Sequence, residues 1–334
     1  MAHIPKYKQL KQQLLAELES GKYPVGGRIP TREELVTRFQ VTRTTVNHAL
    51  QELVEAGVLS TGRRGGTVYT GKRPPVRVLV LGNAVASHWF GYHESAHMDI
   101  ITPLLYHAGE FQLEFAELKN EEPSEARFGK FDCIAVIMPD AAMIRKLRPF
   151  RQKVLIVNRC AEGFHYISTP HRETVAELVT RNIRLAGNAA RAVCLDPGDA
   201  ANPVLEARKE GFKDACAAAG IKPEMIAVKP DVEFIRFGLD KLLTRQIRPL
   251  VICSPMRSLT GVVLEWAGLH NLTLQQDLFY SDFDNPYSLS NPEKAVLSAI
   301  QDYSRIGWEL YEALRSWGKT EEPIRCKVPV RPVP

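Results

Sequence analysis

The sequence predicts an α/β protein in two unequal parts: a small helical N-terminal domain ending in a hairpin, then a larger domain built on parallel sheets. Three observations predict it. A chain of 334 residues exceeds one ordinary core and suits two or three domains of about 100 to 200 residues each. Apolar residues recur at helical spacing up to residue 57, whereas strand-length apolar runs alternate with helical patterns beyond residue 75. Charge is uneven as well. Residues 1–73 hold twelve Lys or Arg against six Glu, an excess of +6, so the rest of the chain carries −1 of the net +5. A basic N-terminal piece suits a polyanionic partner.

After Pro5, the residues Tyr7, Leu10, Leu14 and Leu18 form a helical stripe that ends at Gly21. Two prolines and two glycines between residues 22 and 30 break this helix. Thr31, with Glu34 three residues on, makes a capping box, so a short helix runs from there to about Phe39. Gln40 and Val41 form a turn. Thr42 caps a third helix with an apolar face of Val46, Leu50, Leu53 and Val54, closing at Gly57. Two short helices joined by a tight turn make a helix-turn-helix, whose second helix can enter the major groove with its first side chains on base edges. Residues 58–60 and 67–70 then read as strands flanking a glycine-rich turn with Arg63 and Arg64, a wing for the backbone or minor groove.

The candidate DNA contacts are Arg32, Thr42, Arg43, Thr44, Thr45, Asn47, Arg63, Arg64, Gly65 and Gly66. Arginine offers guanine a bidentate donor pair, asparagine can pair with adenine, and threonine suits phosphate or a thymine methyl. Several runs here carry a family resemblance: Tyr7 and Leu10, Gly21 to Pro24, Ile29 to Thr31, Glu34-Leu35, Val41 to Val46, Ala49-Leu50 and Gly65 to Val68. Together they resemble the winged-helix domain of the GntR family of transcription regulators. The resemblance implies binding to double-stranded operator DNA, with Arg43 and Thr44 at recognition-helix positions and Gly65-Gly66 at the wing tip. Asn47 and Glu33 stand where that family often has arginine.

Residues 72–75 read as a short linker, basic and stiffened by Pro74 and Pro75, between domains spanning 1–71 and 76–334. Strands are expected over 76–81, 111–115, 133–138, 154–157, 192–195, 226–228, 250–253 and 278–280. Helices are expected over 95–108, 174–185, 204–219, 234–246, 259–267 and 304–317. That many alternating units suggest two parallel sheets covered on both faces, with ligands bound beyond the carboxyl ends of the strands. The polar candidates there are Asn83, Asn158, Arg159, Ser254, Asp282 and Asp284, plus Arg208 near a helix start, with Trp89, Phe90 and Tyr92 available to stack on a sugar ring.

This half is similar to the LacI/GalR type of effector domain, a two-lobed fold like that of periplasmic binding proteins. The better patches are Val154 to Arg159, Glu206 to Phe212, Ala219 to Ile221, Tyr280 to Asn285 and Arg305 to Trp308. The resemblance implies an effector-contacting arginine at Arg208 and an acidic contact at Asp284. Asn158 stands where aspartate is common, Ser254 where asparagine is, and Pro170 and Pro255 where aspartates are. The effector set is thus Trp89, Phe90, Asn158, Arg159, Arg208, Ser254 and Asp284, and the ligand a sugar or sugar derivative.

The resulting expectation is a cytoplasmic, homodimeric repressor that reads an inverted repeat and responds to a small carbohydrate-like effector. It needs no cofactor, no metal, no membrane and no catalysis. His93-Glu94-Ser95-Ala96-His97 matches the H-E-x-x-H zinc pattern, but its place after the first strand of a ligand-binding fold, without a third ligand at recognisable spacing, argues against a metal site. Six scattered cysteines suggest reduced thiols. Two alternatives remain. One is an enzyme fused to a DNA-binding module, and the other a smaller, single-lobed sensor, for which some 260 residues are too many.

Overall fold

A computed structural model of the chain describes residues 5–62, 66–72, 74–82, 92–187, 190–199, 201–228, 232–243, 249–256, 259–284, 296–319 and 322–333. The chain divides into two compact units, Met1–Val76 with Gly109–Gln112, and Arg77–Ala108 with Leu113–Pro334.

In the first unit, α1 (Lys6–Glu19), α2 (Arg32–Phe39) and α3 (Arg43–Glu55) are followed by a hairpin of β1 (Leu59–Thr61) and β2 (Thr67–Tyr69), with Leu59 opposite Tyr69. The capping box forms as the spacing requires: Thr31 Oγ1 accepts the Glu34 amide at 3.3 Å, and Glu34 Oε2 accepts the Thr31 amide at 2.7 Å. Gln40 ends α2 in the left-handed region, at φ 49°, which turns the chain sharply into α3. Leu10, Leu14 and Leu18 of α1 bury themselves against Leu35, Val46, Leu50 and Leu53. Val54, expected in this core, is 38% exposed, and Ala49 is buried in its place. At 100° per residue, position 54 falls on the margin of the stripe centred on Val46, Leu50 and Leu53.

The second unit contains two lobes. The first comprises β3 (Val76–Gly82), α4 (Tyr92–Tyr106), β4 (Phe111–Glu117), α5 (Glu125–Phe128), β5 (Cys133–Ile137), α6 (Ala141–Leu147), β6 (Val154–Val157) and β7 (His165–Ser168). The second comprises α7 (His171–Ala186), β8 (Arg191–Asp196), α8 (Pro203–Ala218), β9 (Glu224–Ala227), α9 (Val232–Leu243), β10 (Leu250–Cys253), α10 (Thr260–Leu269), β11 (Leu278–Phe283) and β12 (Val296–Ile300). The chain then returns to the first lobe for α11 (Tyr303–Arg315) and β13 (Arg325–Lys327), and β14 (Arg331–Val333) ends it in the second. It therefore passes between the lobes three times, after β7, β12 and β13.

Strand order is β13-β7-β6-β5-β3-β4 in one sheet and β14-β12-β11-β10-β8-β9 in the other. The pairings of β3 with β5, β5 with β6, β6 with β7, and β8, β10, β11 and β12 in succession are parallel, whereas β14 runs antiparallel to β12. Two sheets rule out a single-lobed sensor. Central strands are buried on both faces, with Val193, Ile252 and Tyr280 in one core and Cys194, Val251 and Phe279 in the opposite one. That is why they read as continuous apolar runs rather than alternating ones.

Two glycines set helix spacing. A Cβ on Gly211 of α8 would lie 2.2 Å from the Arg172 carbonyl oxygen of α7, and one on Gly307 of α11 would lie 2.6 Å from the Ile100 carbonyl oxygen of α4. Both belong to the patches that carry the two-lobed resemblance, and both allow backbone to approach backbone. All six cysteines are free thiols; Cys133, Cys194, Cys216 and Cys253 are buried, Cys326 is half-buried and Cys160 is exposed. No helix among the described residues is long and apolar enough to cross a membrane.

Candidate functional site

Two regions gather the candidate residues. In the first unit, the start of α3 presents Thr42, Arg43, Thr44 and Asn47 to solvent, with Thr45 half-buried and Arg32 exposed at the start of α2. Thr42 caps α3 by accepting the Thr45 amide at 3.2 Å. Both arginines are held by neighbours: Arg32 Nε donates to Asn47 Oδ1 at 2.9 Å, and Arg43 lies 3.3 Å from Glu33 Oε1. The two residues that depart from the GntR pattern thus each engage one of the two arginines. Exposure of 69% on both sides leaves the Arg43 to Glu33 pair weak and easily exchanged for another acceptor. Gly66 adopts φ 103° and its carbonyl accepts the Gly62 amide at 2.9 Å, closing the wing. Arg63, Arg64 and Gly65 lie outside the described residues.

In the second unit, parallel strands leave their carboxyl ends on one edge of each sheet, and residues directly after those ends converge. Asn158 and Arg159 follow β6, Thr169 and His171 follow β7, Pro255 follows β10, Asp284 follows β11 and Gln301 follows β12. Arg208 of α8 joins them. Its Nη1 donates to the Pro255 carbonyl at 2.7 Å and its Nη2 to Asp284 Oδ2 at 3.1 Å. The guanidinium carbon lies 3.6 Å from the centre of the Phe283 ring. Asp284, at φ 63°, also accepts the Gln301 amide at 3.1 Å and Gln301 Nε2 at 2.7 Å. The Thr169 hydroxyl donates to Gln301 Oε1 at 3.2 Å, a bond between the two lobes.

The His171 imidazole is buried beside Arg208, whose Nε and Nη2 both approach its Nδ1 at 3.4 Å. Burial first, then the charges of Arg208 and Arg159, hold it well below the usual histidine value, so the ring is neutral. Arg159 donates from Nη1 to the Asn158 carbonyl at 2.7 Å. Burial, and then the charge of Arg208, push it down to about 10, which leaves it protonated at neutral pH. Asn158 Oδ1, Arg159 Nε and His171 Nε2 are buried and have no hydrogen-bond partner among the described residues. Polar atoms so buried ordinarily find partners, which marks them as candidates for a bound molecule.

Other candidates lie elsewhere. The buried Ser254 hydroxyl donates to the Met256 carbonyl at 2.6 Å and closes a turn. Asp282 is buried and accepts from the Thr260 hydroxyl at 2.6 Å. Asn83, Trp89 and Phe90, the side chains of Tyr92 and His93, and the Glu94 carboxylate lie outside the described residues. Among those described, no three His, Cys, Asp or Glu side chains cluster as a metal ion would need. Sequence reasoning missed His171, Thr169 and Gln301. Their shared signal is position, since each follows a strand that the apolar pattern did not reveal.

Comparison with known proteins fits this division. Residues 6–68 match the family described as bacterial regulatory proteins, gntR family. The chain is 39% identical over 75 residues to the arabinose metabolism transcriptional repressor of Geobacillus stearothermophilus, covering 22% of this chain and 21% of that protein. It is 36% identical over 63 residues to the histidine utilization repressor of Pseudomonas aeruginosa, covering 19% and 25%. The chain thus spans about a quarter or less of these curated relatives' length. Among solved structures, a LacI family transcriptional regulator from Enterococcus faecium with bound ribose aligns at TM-score 0.56 and 15% identity, covering 76% of this chain and 96% of that one. A transcription regulator like protein from Staphylococcus haemolyticus aligns at TM-score 0.59 and 15% identity, covering 77% and 96%. The chain joins a gntR-family winged helix to a two-lobed α/β domain with the fold of LacI-family regulators.

Proposed function

We propose that the protein is a transcriptional repressor that binds operator DNA through residues 1–71, and that a small effector held by residues 76–334 modulates this binding. One observation carries the reading: a winged helix with an exposed arginine, threonine and asparagine face shares a chain with a two-lobed domain whose strand ends meet at a polar cluster in which three buried atoms have no partner among the described residues. The relatives' names support it, since one governs arabinose metabolism and a structural neighbour holds ribose. A polyhydroxylated effector is therefore the first class to screen. Such a ligand shifts operator affinity only by its differential affinity for two arrangements of the lobes, so the mechanism needs no catalysis. It acts in the cytoplasm, where the DNA is. Fluorescence anisotropy on labelled operator, with and without a panel of sugars and sugar derivatives, tests the reading; operator affinity indifferent to all of them, with none bound, defeats it.

Arg43→Ala is expected to weaken specific binding by about 1 to 3 kcal/mol and to relax the preference at one base pair, because a bidentate base contact is lost. Binding measured against single-base operator variants checks this. Equal losses on specific and random DNA would make Arg43 a phosphate contact instead.

The protein is further read as a homodimer on an inverted repeat, because one winged helix contacts few base pairs and two-fold pairing doubles the site. Met98, Leu105 and Tyr106 on α4 are 51%, 45% and 83% exposed, and Trp308 of α11 is 45% exposed. An apolar face of this kind suits a second copy. Light scattering should give a dimer for the parent and a monomer for the Met98→Glu, Leu105→Glu double variant. The variant's operator affinity should fall with dimerisation.

A further inference from the structure

We propose that the polar cluster at the strand ends is built for an organic anion, a polyhydroxylated molecule bearing a carboxylate or phosphate, which Arg159 and His171 hold by their free N–H groups. The proposal rests on the reading of this domain as an effector sensor and names the chemical class of that effector.

Charge is the first argument. Two guanidinium groups, Arg159 and Arg208, act on one another here. Asp284 is the carboxylate in ion-pair contact, and it belongs to Arg208. Its Oδ2 is taken by Arg208 and Gln301 Nε2, and its Oδ1 by the Gln301 amide. Tyr303, Asp199 and Asp284 favour the Arg159 charge through their own charges, none as an ion-pair partner among the described residues, and Asp282 accepts from the Thr260 hydroxyl through Oδ2. Among the described residues, then, the half-buried Arg159, whose Nε is fully covered, has no carboxylate at ion-pair distance. A partly desolvated charge without an ion-pair partner carries a cost, and an anion entering beside it offsets that cost.

Hydrogen-bond direction is the second. Guanidinium nitrogens only donate, so His171 Nδ1, which faces two of them, must accept, and the ring proton sits on Nε2. His171 Nε2 is therefore a donor, as Arg159 Nε is, and both are buried and unpartnered. Two free donors beside a cation that has no ion-pair contact call for acceptor oxygens with negative charge. Asn158 Oδ1, buried and likewise unpartnered, calls for the opposite, a hydroxyl that donates. A neutral sugar satisfies the hydroxyl requirement and leaves the charge unmatched. A sugar acid or sugar phosphate satisfies both.

The test uses the full chain and matched probes: glucose, gluconate and glucose 6-phosphate; ribose, ribonate and ribose 5-phosphate; and inorganic phosphate and acetate against chloride at constant ionic strength. Thermal shift and calorimetry give affinities, and operator anisotropy reports response. At least one carboxylate or phosphate member should bind about tenfold or more tightly than its neutral parent, and which of the two wins identifies the group. Arg159→Met should abolish that preference and Arg159→Lys should keep part of it, with circular dichroism checking that each variant folds. Should Arg159→Met fail to fold, the preference of the parent protein decides alone. Neutral sugars binding as tightly as both charged counterparts, or no probe shifting the melting temperature, would overturn the proposal. A neutral sugar that releases operator while its charged counterparts do not overturns the anion and leaves the sensor standing. An anion held through Arg159 without any change in operator affinity keeps the anion site and overturns the sensor.

Discussion

Replacing Arg208 with alanine is expected to destabilise the larger domain by about 3 to 5 kcal/mol, because it strands a partly buried carboxylate, and to remove the effector response. Arg208 is 5% exposed and Asp284 13%, and the guanidinium also covers the Phe283 ring and ties down the Pro255 carbonyl. Removing one ion leaves the other desolvated, whereas removing both leaves only a packing defect. The double variant Arg208→Met, Asp284→Leu should accordingly recover much of the lost stability in urea denaturation without recovering the effector response. A single variant as stable as the parent would show that the pair is solvated and does not organise the cluster. Operator binding without ligand should persist wherever the variants fold, since neither residue belongs to the first unit.

Gly211→Ala is the second large effect. Its new Cβ would stand 2.2 Å from the Arg172 carbonyl oxygen and 3.1 Å from the Ala176 amide nitrogen. Both are backbone atoms, so no rotamer change relieves the clash and α7 must move away from α8. Overpacking of this kind costs about 1 to 3 kcal/mol, occasionally more, and the upper end applies where the obstacle is main chain. Because His171 opens α7, the same displacement should weaken effector binding. Gly261→Ala in α10 is the matched control: a Cβ there meets nothing within 4 Å among the described residues, and helix propensity favours alanine by up to about 1 kcal/mol. Denaturation midpoints for the two variants should move in opposite directions, and equal midpoints would refute the close-packing argument.

The sequence was most legible where a strand is buried on both faces. Residues 154–157 and 250–253 match β6 and β10 residue for residue, because central parallel strands are unbroken apolar runs. β7 was hidden by His165, Tyr166 and Ser168, and β12 by the buried Ser298 inside its run. β13 and β14 carry lysine, arginine and proline, which suit sheet edges and give no periodic signal. Of the cluster, Arg208, Asp284, Asn158 and Arg159 could be named from strand ends and resemblance. Their pairing could not. Arg208 and Asp284 are 76 residues apart, and no spacing rule links them. His171 was invisible because its strand was, and nothing in Pro170-His171-Arg172 marks a histidine that burial, and then two guanidiniums, keep neutral.

The three passages of the chain between the lobes have a mechanical meaning. One link would act as a swivel, but three run together, and the Thr169 to Gln301 bond fastens two of them to each other. Three links fastened side by side would restrict twisting of one lobe against the other more than bending, as a door hinge does. The fastener, Gln301, also grips Asp284 and donates to the Tyr303 hydroxyl at 2.8 Å. A molecule that competed for Asp284 or Arg208 would therefore loosen the bonds by which Gln301 fastens two of these links.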